Sequence, residues 1–175
     1  MNTASIGEAV AKRGEQRLSD LYWRHAADAV RLAFLLTGDQ HAAEDIVQDA
    51  FIRLFGRLQR LRSPDAFEMY LRRTVVNLSR DRFRRLRLER DYAAREGNSS
   101  SQPTGVTSQI EDRELIRDVL RNLPHRQRTA LVLRFYADLS ERQTAEVMQC
   151  SVPAVKSLVS RATASLRERM RGEIP

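Results

Sequence analysis

An all-α protein built as two small helical domains is what this sequence predicts, and three observations carry that expectation. The 175 residues favour Ala, Leu, Arg, Glu and Gln and include only seven Gly and five Pro, a usage suited to helix interiors. Apolar residues recur at three- and four-residue spacing through most of the chain. One stretch, Gly97-Asn98-Ser99-Ser100-Ser101-Gln102-Pro103-Thr104-Gly105, has a composition that no packed helix supports, and it divides the pattern in two. The expected organisation is a disordered tail over residues 1–14, a first domain over 15–95, a flexible linker over 96–109 and a second domain over 110–175.

The first helix is expected from near Glu15, where Leu18, Leu21, Tyr22, Ala26, Ala29, Leu32, Ala33 and Leu36 share helical spacing. Thr37-Gly38-Asp39 reads as a helix stop, a left-handed glycine and a new N-cap. A second helix follows from Gln40 to about Leu58, with Ile46, Val47, Ala50, Phe51, Leu54, Phe55 and Leu58 as one apolar stripe. Ser63-Pro64-Asp65 opens a long third helix to about Arg95, since Pro suits the first helical position. Its inward residues are Phe67, Tyr70, Leu71, Thr74, Val75 and Leu78, and beyond Leu78 that stripe thins to Phe83 and Leu86.

The second domain begins with a helix from Ile110 to Asn122, ended by Pro124, and a further helix from Arg126 to Ala137. Ser140-Glu141-Arg142-Gln143 is a capping box that opens a short helix. Gln149-Cys150-Ser151 is a tight turn, and a last helix runs from Val152 to about Arg171.

The charge is uneven. The net formal charge is +7, and twenty-eight of the thirty basic residues are Arg, the exceptions being Lys12 and Lys156. Residues 53 to 95 hold thirteen Arg against five acids, whereas residues 39 to 52 hold Asp39, Glu44, Asp45 and Asp49 with no Lys or Arg. One stretch suits a polyanion and its neighbour a basic partner. The single cysteine, Cys150, allows no intrachain disulfide. No apolar run suits a signal peptide or a membrane span. The expectation is a soluble cytoplasmic protein with no membrane insertion. His25, His41 and His125 lie at no ligand spacing, and neither a Gly-rich phosphate loop nor a nucleophile elbow occurs. No metal, cofactor or catalytic residue is expected.

Three constellations remain. Residues 140 to 169 have the layout of a helix-turn-helix, with Ala145 where the helices cross and Val147, Val152, Val155 and Val159 as the small core between them. Its second helix would present Ala154, Lys156, Ser157, Ser160 and Arg161 to a major groove. The same pattern also fits a helical hairpin with a solvated basic face. On the third helix, Arg73, Asn77, Arg80, Arg84 and Arg87 fall on one side, and Arg57, Arg60 and Arg62 extend that patch into the preceding loop. This face can neutralise phosphates and read a base edge, although a charge run is also an ordinary solvated face. On the second helix, Asp45, Gln48, Asp49 and Ile52 lie opposite the apolar stripe. An outward Ile in an acidic face suggests a protein partner.

These residues resemble a known family. The run from Ala43 to Phe55, AEDIVQDAFIRLF, is similar to the core-binding helix of extracytoplasmic-function sigma factors of the sigma-70 family. Phe67 to Arg85 resembles the helix of the same domain that meets the promoter −10 element. Leu123 to Arg128 and Leu139 to Arg169 resemble the −35-binding domain. The resemblance implies a sigma region 2 domain and a sigma region 4 domain, and a transcription initiation factor that is not an enzyme. It implies that Asp45, Gln48, Asp49 and Ile52 contact the coiled coil of the largest subunit of core RNA polymerase, and that the polymerase flap region meets the second domain. Arg57, Arg60, Arg62 and Ser63 would belong to the loop that captures a base flipped from the −10 strand, with Arg73, Asn77, Arg80, Arg84 and Arg87 beside it. Pro153, Ala154, Lys156, Ser157, Ser160 and Arg161 would face the −35 element. An anti-sigma factor that covers these surfaces is a further partner the family commonly has.

The chain also departs from the family pattern. Gln143 and Thr144 stand where Glu and Ile are usual, Gln149 where Gly is frequent, and Leu158 where a basic residue is frequent. The alternative reading is a stand-alone helix-turn-helix regulator, which leaves the acidic face and the Arg-rich helix without a task. Promoter elements more than one DNA turn apart, at about 34–36 Å per turn, need two domains whose spacing polymerase fixes. A gel shift at physiological salt should therefore find the free chain a weak binder of promoter duplex, and nanomolar selection by the free chain would contradict this.

Overall fold

The computed structural model describes residues 3–55, 64–95 and 118–172, and every regular element among them is a helix. The order is α1 (Thr3–Thr37), α2 (Gln40–Phe55), α3 (Pro64–Arg95), a helical stretch at 118–121, α4 (His125–Phe135), α5 (Glu141–Met148) and α6 (Val152–Gly172). The linker expected over 96–109 lies outside the described residues. Helix α1 is drawn from Thr3, ahead of the start near Glu15 that periodicity suggests. Ala, Glu, Lys and Arg in that stretch are strong helix formers, so the helix runs on past the point where its apolar stripe begins.

The break between α1 and α2 follows the sequence. Gly38 has φ +71°, which closes the helix with its N–H on Phe34 O at 2.7 Å. Asp39 then caps α2, accepting the Ala42 N–H at 3.1 Å. The first core forms where α1, α2 and α3 meet, around Ala33, Leu36, Val47, Leu54, Phe67 and Val75. Phe51 packs on Phe67 and Tyr22 with ring centroids 6.0 and 4.9 Å apart. The inward expectations change at several positions, since Tyr22, Phe55, Phe83 and Leu86 are 37–46% exposed. Tyr70 is exposed, and Val76 and Ser79 are buried instead, because α3 is flanked by α1 and α2 and also by α4 and α5. The buried Ser79 hydroxyl is satisfied by donating to Val75 O at 2.8 Å.

The second domain stacks α4 on α6 and α5 on α6 around Ala130, Leu133, Val147, Val155 and Ala162. It is docked on the first: one apolar cluster runs from Leu36 and Val75 through Leu120, Leu123 and Leu133. Polar contacts pin this seam. The buried Arg128 guanidinium donates to Leu36 O at 2.6 Å, to Arg121 O at 3.0 Å and to Leu123 O at 3.3 Å. Arg121 donates to Gly38 O at 3.0 Å. A cation from the second domain thus sits on the carbonyl end of α1, where unpaired acceptors and the helix dipole favour positive charge. Charge-assisted bonds of this kind contribute about 1.5–3 kcal/mol each.

His125 is buried at the same seam, stacked on Phe83 of α3 at 5.1 Å with 14° between the ring planes. Burial lowers its pKa to about 4, helped by the nearby charges of Arg128 and Arg80. Folded His125 therefore stays neutral where the unfolded residue would already be protonated. Its contribution is fully present above pH 6.5 and is lost as pH falls towards about 4. The displacement corresponds to roughly 3 kcal/mol. The melting temperature should fall across that window, and His125→Phe, which keeps the stack without the titration, should flatten the profile.

Candidate nucleic-acid and protein interfaces

Helix α2 turns Ile46, Val47, Ala50, Phe51 and Leu54 into the core, and its 3.6-residue period then fixes what faces out. Asp45, Gln48 and Asp49 are exposed, and Ile52 beside them is 71% exposed. The sequence places these four together and so does the structure. Neither α4, α5 nor α6 covers them, since α2 packs on α1 and α3.

On α3, Arg80, Arg84 and Arg87 are exposed, while Arg73 and Asn77 are half-buried. Arg72 is tied to Glu68 at 2.6 Å, Arg80 to Asp81 at 3.6 Å and Arg82 to Asp39 at 3.3 Å. Among the described residues no carboxylate pairs with Arg84 or Arg87, which leaves their charge directed at solvent. Arg57, Arg60, Arg62 and Ser63 lie outside the described residues.

The helix-turn-helix is built from α5 and α6. Ser140 Oγ accepts the Gln143 N–H at 3.2 Å while Gln143 Oε1 accepts the Ser140 N–H at 2.9 Å, so the capping box closes with Gln in place of Glu. Thr144 is fully buried. Gln149 occupies the left-handed region at φ +53° and ends α5 with its N–H towards Ala145 O and Glu146 O. The turn thus keeps the backbone shape glycine favours, at the strain a side chain incurs there. Ser151 Oγ then accepts the Ala154 N–H at 3.3 Å and starts α6. Ala145, Val147 and Val155 are buried between the helices, with Val152 and Val159 half-buried at the rim. Pro153, Lys156, Ser157, Ser160 and Arg161 are exposed, and Ala154 is half-buried. Lys156 pairs with Glu141 at 3.5 Å, an exposed contact that phosphate can replace.

Sequence pattern assigns no structural role to Arg121 or Arg128, reads His125 only as a histidine at no ligand spacing, and shows no neighbour for Gln149. The side-chain amide of Gln149 lies against the Arg73 guanidinium; turned so that its oxygen faces the guanidinium, it accepts from Nε and Nη2. One signal was available: His125, Arg128 and Val132 fall at i, i+3 and i+7, so the period of α4 aims Arg128 inward. Among the described residues, no group of His, Cys, Asp and Glu is arranged to hold a metal ion, and no helix is long and apolar enough to cross a membrane.

With this geometry in place, comparison with known proteins is decisive. Residues 21–89 match Sigma-70 region 2, and residues 113–166 match Sigma-70, region 4. The chain belongs to the sigma-70 family. The sigma factor is 34% identical over 158 residues to the RNA polymerase sigma-E factor of Streptomyces coelicolor, covering 90% of this chain and 88% of that one. It is 28% identical to the ECF RNA polymerase sigma factor SigW of Bacillus subtilis, covering 91% of this chain and 92% of the other. In fold it is similar to the sigma factor RpoE of Bartonella quintana, solved in complex with the anti-sigma factor NepR, with a TM-score of 0.69 at 20% identity over 93% of this chain and 99% of that one. Its group is the extracytoplasmic-function one, and it is a transcription initiation factor that directs RNA polymerase to promoters. The region 2 match sets aside the stand-alone regulator. Ser140→Ala in this sigma factor should remove the cap of α5 and destabilise the region 4 domain by about 1 kcal/mol, read as a lower denaturant midpoint.

Proposed function

We propose that this sigma factor divides initiation among three exposed faces. Asp45, Gln48, Asp49 and Ile52 of α2 grip a basic and apolar surface of core RNA polymerase, the coiled coil of its largest subunit. The flap region holds the second domain. Arg73, Asn77, Arg80, Arg84 and Arg87 support the melted −10 strand, with Arg57, Arg60, Arg62 and Ser63 at the flipped base. Pro153, Ala154, Lys156, Ser157, Ser160 and Arg161 meet the −35 element. Catalysis belongs to the polymerase, and the sigma factor works in the cytoplasm without a cofactor. An anti-sigma factor that covers the α2 and α3 faces would keep it silent.

The observation that carries this reading is the outer face of α2. A side chain as apolar as Ile52, exposed among carboxylates on a rigid helix, loses nothing by being buried against a partner and gains area when it is. The carboxylates around it select a basic partner and steer its approach.

The test is in vitro transcription with purified core polymerase. Wild-type chain should support promoter-dependent initiation. Asp45→Arg with Asp49→Arg reverses the sign of the docking face and leaves the core of α2 untouched, so holoenzyme formation should weaken on the order of a hundredfold or more. Circular dichroism of the double variant should match wild type. Normal holoenzyme assembly by that variant would show the docking face to be elsewhere.

A further inference from the structure

We infer that the seam between the two domains holds a binding site for a small organic ammonium ion, an effector site to which both domains contribute. The site shares no residue with the polymerase and promoter faces proposed above.

A cleft of about 240 Å³ lies where α1, the first half of α3 and the segment after α4 meet. Packed interiors leave few voids larger than a water molecule, so space of this size has room for an occupant. Pockets for drug-sized molecules run to about 300–1,000 Å³, so the occupant is smaller than those. The floor is apolar: Ala29 and Leu32 of α1 with Leu71 and Val75 of α3. Two rings stand in the walls, His25 on α1 and Tyr136 just beyond α4.

The charges select the ligand. Asp28 comes from the first domain and Asp138 from the second, and both are exposed. Neither carboxylate is ion-paired among the described residues. Arg72, the guanidinium that lines the cleft, is already held by Glu68 at 2.6 Å. An ammonium carried on a short apolar body fits this arrangement. The carboxylates take its charge, the floor takes its hydrocarbon, and the Tyr136 ring offers a face to either. An anion of the same shape meets two like charges and is turned away. His25 adds an independent observation, since its Nε2 is buried and has no hydrogen-bond partner. A buried polar atom left in that condition is costly. With the ring proton on Nδ1, Nε2 accepts from a bound ammonium. The chain as a whole carries a net charge of +7, which repels small cations, so attraction at this cleft is local.

Because its walls come from both domains, the cleft exists only while they are packed together. A ligand seated in it favours that form, by an amount its concentration sets.

Phenethylamine, phenylacetate and phenethyl alcohol share a ring and a short chain and differ in charge, which makes them suitable probes. The full chain, isotope-labelled at its alanine methyl groups, is titrated with each at neutral pH and constant ionic strength. Phenethylamine should shift the methyl signals of Ala29 and Ala137, one from each domain, and saturate with a Kd on the order of 1 mM or tighter. The melting temperature should rise with amine concentration. The anion and the alcohol should bind about tenfold more weakly or worse. Asp28→Asn with Asp138→Asn keeps side-chain size, and Asn tolerates the φ of +49° found at position 138. Helical circular dichroism should persist in this double variant while amine affinity falls about tenfold or more. Equal binding of phenylacetate, undiminished affinity in the double variant, a shift of only one of the two methyl signals, or no saturable binding of the amine would each overturn the site.

Discussion

The arrangement of the whole molecule depends on where one guanidinium goes. Arg128 is 5% exposed, and taking its charge out of water has a penalty of several kcal/mol that only good acceptors can offset. Leu36 O, Arg121 O and Leu123 O are those acceptors, and they come from the end of α1 and from the turn before α4. All three must be in place together, so α1, the 121–123 turn and α4 have a single relative position. Helices α5 and α6 pack on α4 and inherit it. Burial and the neighbouring Arg121 lower the pKa of Arg128, yet a guanidinium keeps its proton and its planar fork of donors. A lysine, with a compact ammonium, would match these spread carbonyls poorly and would shed its charge more readily on burial.

Much of this was legible in the residues, for identifiable reasons. Helices with a strong single stripe, such as α2, declare both their core side and their outer face, and Ile52 stands out because it breaks the rule on the polar side. Local chemistry was equally legible: Thr37-Gly38-Asp39 and Ser140 to Gln143 act through neighbours in sequence, so their geometry follows from spacing alone. What escaped the reading depends on distant partners. A single apolar stripe places Tyr70 inward and leaves Val76 out, because it assumes one covered side and α3 is covered from several. Arg128 and His125 look like surface residues until the first domain is laid against them. Gln149 looked like a poor substitute for glycine, since nothing in the local sequence shows Arg73, seventy-six positions earlier, waiting beside it.

The two domains also differ in how their charge is held. In region 4, Lys156 leans on Glu141 and the cap residues are uncharged, so the exposed face of α6 is mild. In region 2 the exposed cations are arginines, and their pull on any polyanion would be screened by salt.

The far half of α3 carries a consequence of its own. From Arg84 to Tyr92 every residue is exposed, and the helix continues there like a cantilever beyond the bundle. Arg84, Arg87 and Arg90 follow one another at three-residue steps on this unsupported length, and like charges so spaced repel. Without tertiary cover, only intrinsic propensity holds such a rod straight. A strand of phosphates laid along it would cancel the repulsion and stiffen the backbone beneath. An arm loaded in that way would be more rigid than a bare one, and part of the binding energy would go into straightening it.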